Sequence, residues 1–139
     1  MSPEKIIAII GAVIIALTII VIIIKFGLRR VPLKPKKKKF QKQWRELQKY
    51  CKEQETWPAA LNEADKLLDK ALIKRGFKGK TMGERLVSAQ RKFSDNDAVW
   101  YGHKLNRKAS EDPELKLKES EVKDALMGIR QGLKDLGAL

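Results

Sequence analysis

The sequence predicts an all-α protein: a single N-terminal transmembrane helix followed by a four- to five-helix bundle. Three observations predict it. From Ile6 to Ile24 the chain is apolar throughout, with Thr18 as the one polar side chain. Beyond the basic stretch that follows, apolar residues recur at spacings of three and four, which gathers them on one side of a helix. Strand signals are missing, with no sustained period-two alternation and no Asn-Gly or Asp-Gly hairpin pair.

The apolar run comes first. At 1.5 Å per residue it reaches roughly 28 Å, close to the hydrocarbon thickness of a bilayer. Thr18 costs little there, because a helical Thr hydroxyl can bond back to a backbone carbonyl. Ser2-Pro3-Glu4 supplies a capping hydroxyl, a first-turn proline and an acid. A buried core helix fits poorly, since every face is apolar and the remaining chain is too small to wrap it. A cleaved signal peptide also fits poorly: the run exits into Lys25-Phe26-Gly27-Leu28-Arg29-Arg30, with no small-x-small site. Residues 1–28 are therefore expected to be an uncleaved anchor. Within it Ala8, Ala12 and Ala16 recur every fourth residue beside Gly11, a small-residue stripe that suits close packing of membrane helices.

Residues 29–39 form a polybasic juxtamembrane linker. The chain has 30 Lys and Arg against 17 Asp and Glu, a net charge of +13, and the excess resides mainly here. Lys25, Arg29, Arg30, Lys34, Lys36, Lys37, Lys38 and Lys39 follow the apolar run with no acid among them, whereas only Lys5 precedes it. The positive-inside rule then places the N-terminus outside and the C-terminal domain in the cytoplasm, at the plasma (inner) membrane. The same residues suit contact with anionic lipid headgroups. RNA is a competing partner for a basic segment, but Phe40 and Trp44 share a helical stripe with Leu47 and Cys51 and so read as core. Val31-Pro32-Leu33-Lys34-Pro35 cannot propagate a helix well and reads as a short stiff linker.

Residues 40–139 are expected to be a cytoplasmic helical bundle. The first helix runs from about Lys38 to Lys52. The second opens at Thr56 with Pro58 in its first turn and carries Trp57, Leu61, Ala64, Leu67, Leu68, Ala71 and Leu72, with Gly76 as its C-cap. Thr81-Met82-Gly83-Glu84 is a capping box for the third, which carries Leu86, Val87 and Phe93. Ser94, with Asp97 three residues on, reads as the cap of the fourth, which holds Val99, Trp100, His103 and Leu105 and stops before Pro113. The last helix spans about Lys118 to Leu136, and Gly137 closes it.

Few residues suggest chemistry. Gly76-x-x-Gly79-Lys80-Thr81 has the glycines and Lys-Thr pair of a phosphate loop, but two residues separate the glycines where four are needed, and a helix precedes them instead of a strand. The lone Cys51 excludes an internal disulfide and a Cys-based metal site, and suits a reducing compartment. No metal and no small-molecule cofactor is implied.

The segment from Trp57 to Leu72, WPAALNEADKLLDKAL, resembles the second helix of a bacterial HEPN-like family. The resemblance continues through GFKGKTMGERL (Gly76 to Leu86), VWYGHKL (Val99 to Leu105) and the closing Leu133 to Gly137, so it covers roughly Phe40 to Leu139. It implies a compact helical bundle, often dimeric, in a family where some members are metal-independent RNases or RNA-binding modules. The family's catalytic pair is an Arg with a His four to six positions later, and relatives read Arg-Asn-x-x-x-His-Glu after His-Lys-Leu. Here Asn106 stands at the Arg place and Glu111 at the His place, and no His follows Arg107. The implied pair is absent. His103 and Arg107, one helical turn apart, are the only alternative catalytic pair. The expected function is thus a membrane-anchored, catalytically inactive interaction module that binds itself or a protein partner. A tethered RNA-binding protein or RNase with a divergent site is the alternative.

Overall fold

The structure, a computed structural model, describes residues 1–27 and 33–139. The chain divides into two compact units, Met1–Val31 and Pro32–Leu139. The first contains a single helix, α1 (Pro3–Gly27). Ser2 holds its start through the backbone, its carbonyl accepting from the N–H groups of Lys5 and Ile6. The Thr18 hydroxyl donates to the Ile15 carbonyl at 2.7 Å, so the run's one polar side chain is satisfied within the helix. No α1 residue is buried, which removes the core-helix reading. By length and composition α1 can cross a membrane.

The second unit is a bundle of five α-helices: α2 (Lys37–Gln48), α3 (Trp57–Lys74), α4 (Met82–Ala89), α5 (Asn96–Glu111) and α6 (Glu119–Asp135). Among the described residues there is no strand, so the all-α expectation holds. Helix α3 is central, with α2, α4, α5 and α6 all packed on it. Its predicted stripe accounts for this: Leu61, Ala64, Leu67, Leu68, Ala71 and Leu72 are all buried. Burying each leucine contributes roughly 1.5–3 kcal/mol. Phe40, Trp44 and Leu47 of α2, Leu86 of α4, Val99 of α5 and Ile129 and Leu133 of α6 complete the main core. A smaller cluster of Leu61, Leu105, Leu117, Val122 and Ala125 closes the other end of α3.

The helix ends follow local rules. Gly76 and Gly137 have positive φ, 79° and 75°, and each terminates its helix in a Schellman turn: Phe77 N–H reaches the Leu72 carbonyl, and Ala138 N–H the Leu133 carbonyl. Thr81 caps α4 by accepting from Glu84 N–H at 3.2 Å. The fourth cap differs from expectation: Asp95, not Ser94, accepts from Ala98 N–H. Ser94 is occupied elsewhere, with both its N–H and its hydroxyl on Asp135 of α6.

Two boundaries also move. Helix α2 begins at Lys37, so Lys37, Lys38 and Lys39 belong to its first turn and not to an extended linker. It ends at Gln48, and Lys49–Cys51 continues as a tighter 3₁₀ turn. Leu33 N–H donates to the Lys74 carbonyl at 2.9 Å and Pro35 is buried, so this part of the proposed linker docks on the bundle. Val31 and Pro32 lie outside the described residues.

Candidate functional site

Helices α3 and α5 bring one buried polar cluster together. Leu61, Ala64, Asp65, Leu68 and Leu72 occupy a single inward row of α3, which forces a carboxylate into the core. Val99, Gly102, His103 and Asn106 form the matching row of α5. His103 Nδ1 lies 3.0 and 3.1 Å from the two Asp65 oxygens. An ionised carboxylate only accepts, so Nδ1 is the donor. Asn106 Nδ2 donates to Asp65 Oδ2 at 3.0 Å. The same logic orients the Asn106 amide, and it leaves Oδ1 buried with no hydrogen-bond partner in the protein. Asp65, His103 and Asn106 are each more than nine-tenths buried. The Trp100 ring packs beside the imidazole in a T-shaped arrangement, with ring centroids 5.9 Å apart at 75°.

Close packing of α5 on α6 keeps this arrangement tight. A Cβ at Gly102 would sit 2.7 Å from Ile129 Cγ1 and 2.8 Å from the Ala125 carbonyl oxygen. One at Gly128 would collide with the Ala98 carbonyl. These glycines let the two backbones approach where any side chain would hold them apart.

The alternative pair is not assembled. His103 faces the core, whereas Arg107 is exposed and reaches Glu111 at 3.4 Å, with both side chains about two-thirds accessible. Being one turn apart on a helix was insufficient, because His103 turns toward Asp65 and Arg107 toward solvent. The packed, hydrogen-bonded reading of His103 describes what the fold shows. Asn106 serves as a second donor to Asp65. Asp65 was missed in the sequence, although one signal was present: it is a lone charge inside an otherwise apolar row.

The glycine loop is likewise committed internally. Arg85 makes a two-pronged pair with Asp69 of α3, at 2.6 and 2.8 Å, and its third nitrogen donates to the Gly79 carbonyl. The Asp69 hydrogen bond, and then its charge, raises the Arg85 pKa further above its usual value against the opposing effect of burial. Ser88 donates to the Lys78 carbonyl, and Lys80 N–H donates to Glu84. The loop therefore ties α4 to α3 and presents no phosphate cradle.

Other surfaces are open. A groove of about 440 Å³ runs between Trp44, Cys51 and Trp57 on one side and Val122, Leu126 and Met127 of α6 on the other. Cys51 was expected in the core but is only half-buried at the edge of this groove, and that partial burial pushes its thiol pKa up. Lys25 is exposed in the last turn of α1, and Lys34, Lys36, Lys37, Lys38 and Lys39 are all exposed. Arg29 and Arg30 lie outside the described residues. Ala8, Ala12 and Ala16 are exposed along α1, and a Cβ at Gly11 would meet nothing within 4 Å. Among the described residues no group of three or more His, Cys, Asp or Glu side chains could hold a metal ion.

The fold is all-α, and among the described residues one helix is long and apolar enough to cross a membrane. Comparison with protein-family models, curated proteins and solved structures finds no match for this chain.

Proposed function

We propose that this protein is a membrane-anchored interaction module of HEPN-like descent that has no RNase chemistry. In this reading α1 spans the plasma membrane with its N-terminus outside, and the bundle works at the cytoplasmic face. One observation carries the reading: the sole histidine is locked on Asp65 in the core while Arg107 pairs outward with Glu111. A metal-free RNase needs a base that reaches the ribose hydroxyl and a cation on the phosphate. An imidazole sealed in the core reaches no ribose hydroxyl, and Arg107, turned outward to Glu111, is not beside it to meet the phosphate. The basic flank supports the orientation, since Lys25 sits in the last turn of α1 and the lysines from Lys34 onward follow it.

RNA cleavage by the full chain in detergent tests the chemistry. We expect no cleavage above background, and the same result for His103→Ala. Cleavage that His103→Ala abolishes would overturn the proposal. Orientation is tested separately with Ser2→Cys in a Cys51→Ala background: an impermeant maleimide added to intact cells should label it, and labelling only after lysis would reverse the topology.

A further inference from the structure

One shallow pocket is lined by three lysines and no acid. Lys39 of α2 and Lys70 and Lys74 of α3 surround a pocket of about 220 Å³ whose floor is Phe40 and Ile73. Lys70, Ile73 and Lys74 fall at i, i+3 and i+4, so α3 presents them together. Lys74 Nζ lies 5.7 Å from the Phe40 ring centroid, held over its face. No carboxylate lines the pocket, and among the described residues no ion pair engages any of the three lysines. Three lysines converging on an apolar floor without an acid is a local excess of charge with an amphipathic shape.

The chain route adds a second observation. Leu33, 66% exposed, is bonded through its N–H to the carbonyl of Lys74 itself. Leu33 thus docks at the edge of this patch.

We propose that Lys39, Lys70 and Lys74 form a binding site for the phosphate of an anionic membrane lipid, with the exposed Leu33 and Ile73 entering the interfacial layer beside it. This rests on α1 spanning a membrane. It goes beyond attraction by the juxtamembrane lysines, because two of the three cations come from α3, more than 30 residues along the chain. Lysine ammonium groups suit this role as compact donors to phosphate oxygens. The apolar neighbours suit an interface where acyl chains meet headgroups.

The test uses the full chain, in a Cys51→Ala background, reconstituted into vesicles of phosphatidylcholine alone or with about 30 mol% phosphatidylserine. A fluorophore is placed at Ile73→Cys or, as a control outside the patch, at Met127→Cys. Quenching is read from lipids carrying a nitroxide at the headgroup. At position 73 quenching should rise roughly twofold or more when anionic lipid is present. It should fall back to the neutral-lipid value in Lys39→Gln/Lys70→Gln/Lys74→Gln, and the Met127 position should not respond. Lys39 and Lys70 are exposed and Lys74 is half-buried, with none of the three in an ion pair among the described residues, so the triple variant should keep the parent's circular dichroism. A response at both positions, or one that survives the triple substitution, overturns the site. Reversal by millimolar inorganic phosphate would assign the pocket to a free ion and overturn the lipid. Carbonate extraction of the same vesicles separates the two levels: release of the chain refutes the anchor, whereas retention without differential quenching refutes only the lipid site.

Discussion

The two sides of α3 handle charge in opposite ways. On its inner row Asp65 is the acceptor for His103 and Asn106, sealed from water. On its outer side Lys70 and Lys74 converge with Lys39 around a pocket that no carboxylate lines. A buried charge must be neutralised by its neighbours, because the medium will not solvate it. An exposed charge can be left without a partner and remain available to a ligand. The difference teaches which polar residues of this helix are structural and which are free to bind, and burial decides it more than residue type.

The largest effect expected from breaking this contrast is on the inner side. Asp65→Ala strands the donors of His103 and Asn106 in the core and should cost about 3 kcal/mol in urea unfolding of the bundle in micelles. A loss under half a kcal/mol would mean that water replaces the carboxylate. Gly128→Ala should cost about 1–3 kcal/mol, since its methyl meets the Ala98 carbonyl and must push α5 off α6. Thr81→Ala removes the cap of α4 and should cost about 1 kcal/mol. On the outer side Lys70→Gln with Lys74→Gln should cost about 0.5–1 kcal/mol, chiefly the contact of the partly buried Lys74 with the Phe40 ring.

Cys51 gives the smallest effect and a definite sign. Burial raises its thiol pKa in the folded state, so its contribution to stability is complete below the ordinary thiol pKa and is lost as pH rises through the raised value. Alkylation of the folded chain at mildly alkaline pH should therefore be slower than in urea, and its rate should still climb where an unfolded thiol has levelled off. Equal rates would place Cys51 in free solvent.

Much of the fold was legible in the chain. The apolar run became α1 because nothing polar interrupts it, and the stripe from Leu61 to Leu72 became the centre of the core because its spacing matches a helix. The caps were less secure. Ser94 and Asp95 are both good capping residues in adjacent positions, and the choice between them fell to Asp135, more than 40 residues away. The site was the least legible part. His103 and Arg107 at i and i+4 resemble a pair, but which one turns inward depends on the partner that α3 presents.

The sequence by itself determined the helical class, the membrane-compatible helix, the basic flank and the absence of the Arg-to-His spacing. Those are properties of periodicity, length and local charge, and they are carried by neighbours in the chain. Only the tertiary structure decided that Asp65 meets His103 and Asn106, that Lys39 joins Lys70 and Lys74, and that Leu33 docks at Lys74. These contacts join residues 31 to 41 positions apart. No local rule connects such positions; they meet because packing α2 and α5 against α3 leaves each row one way to face.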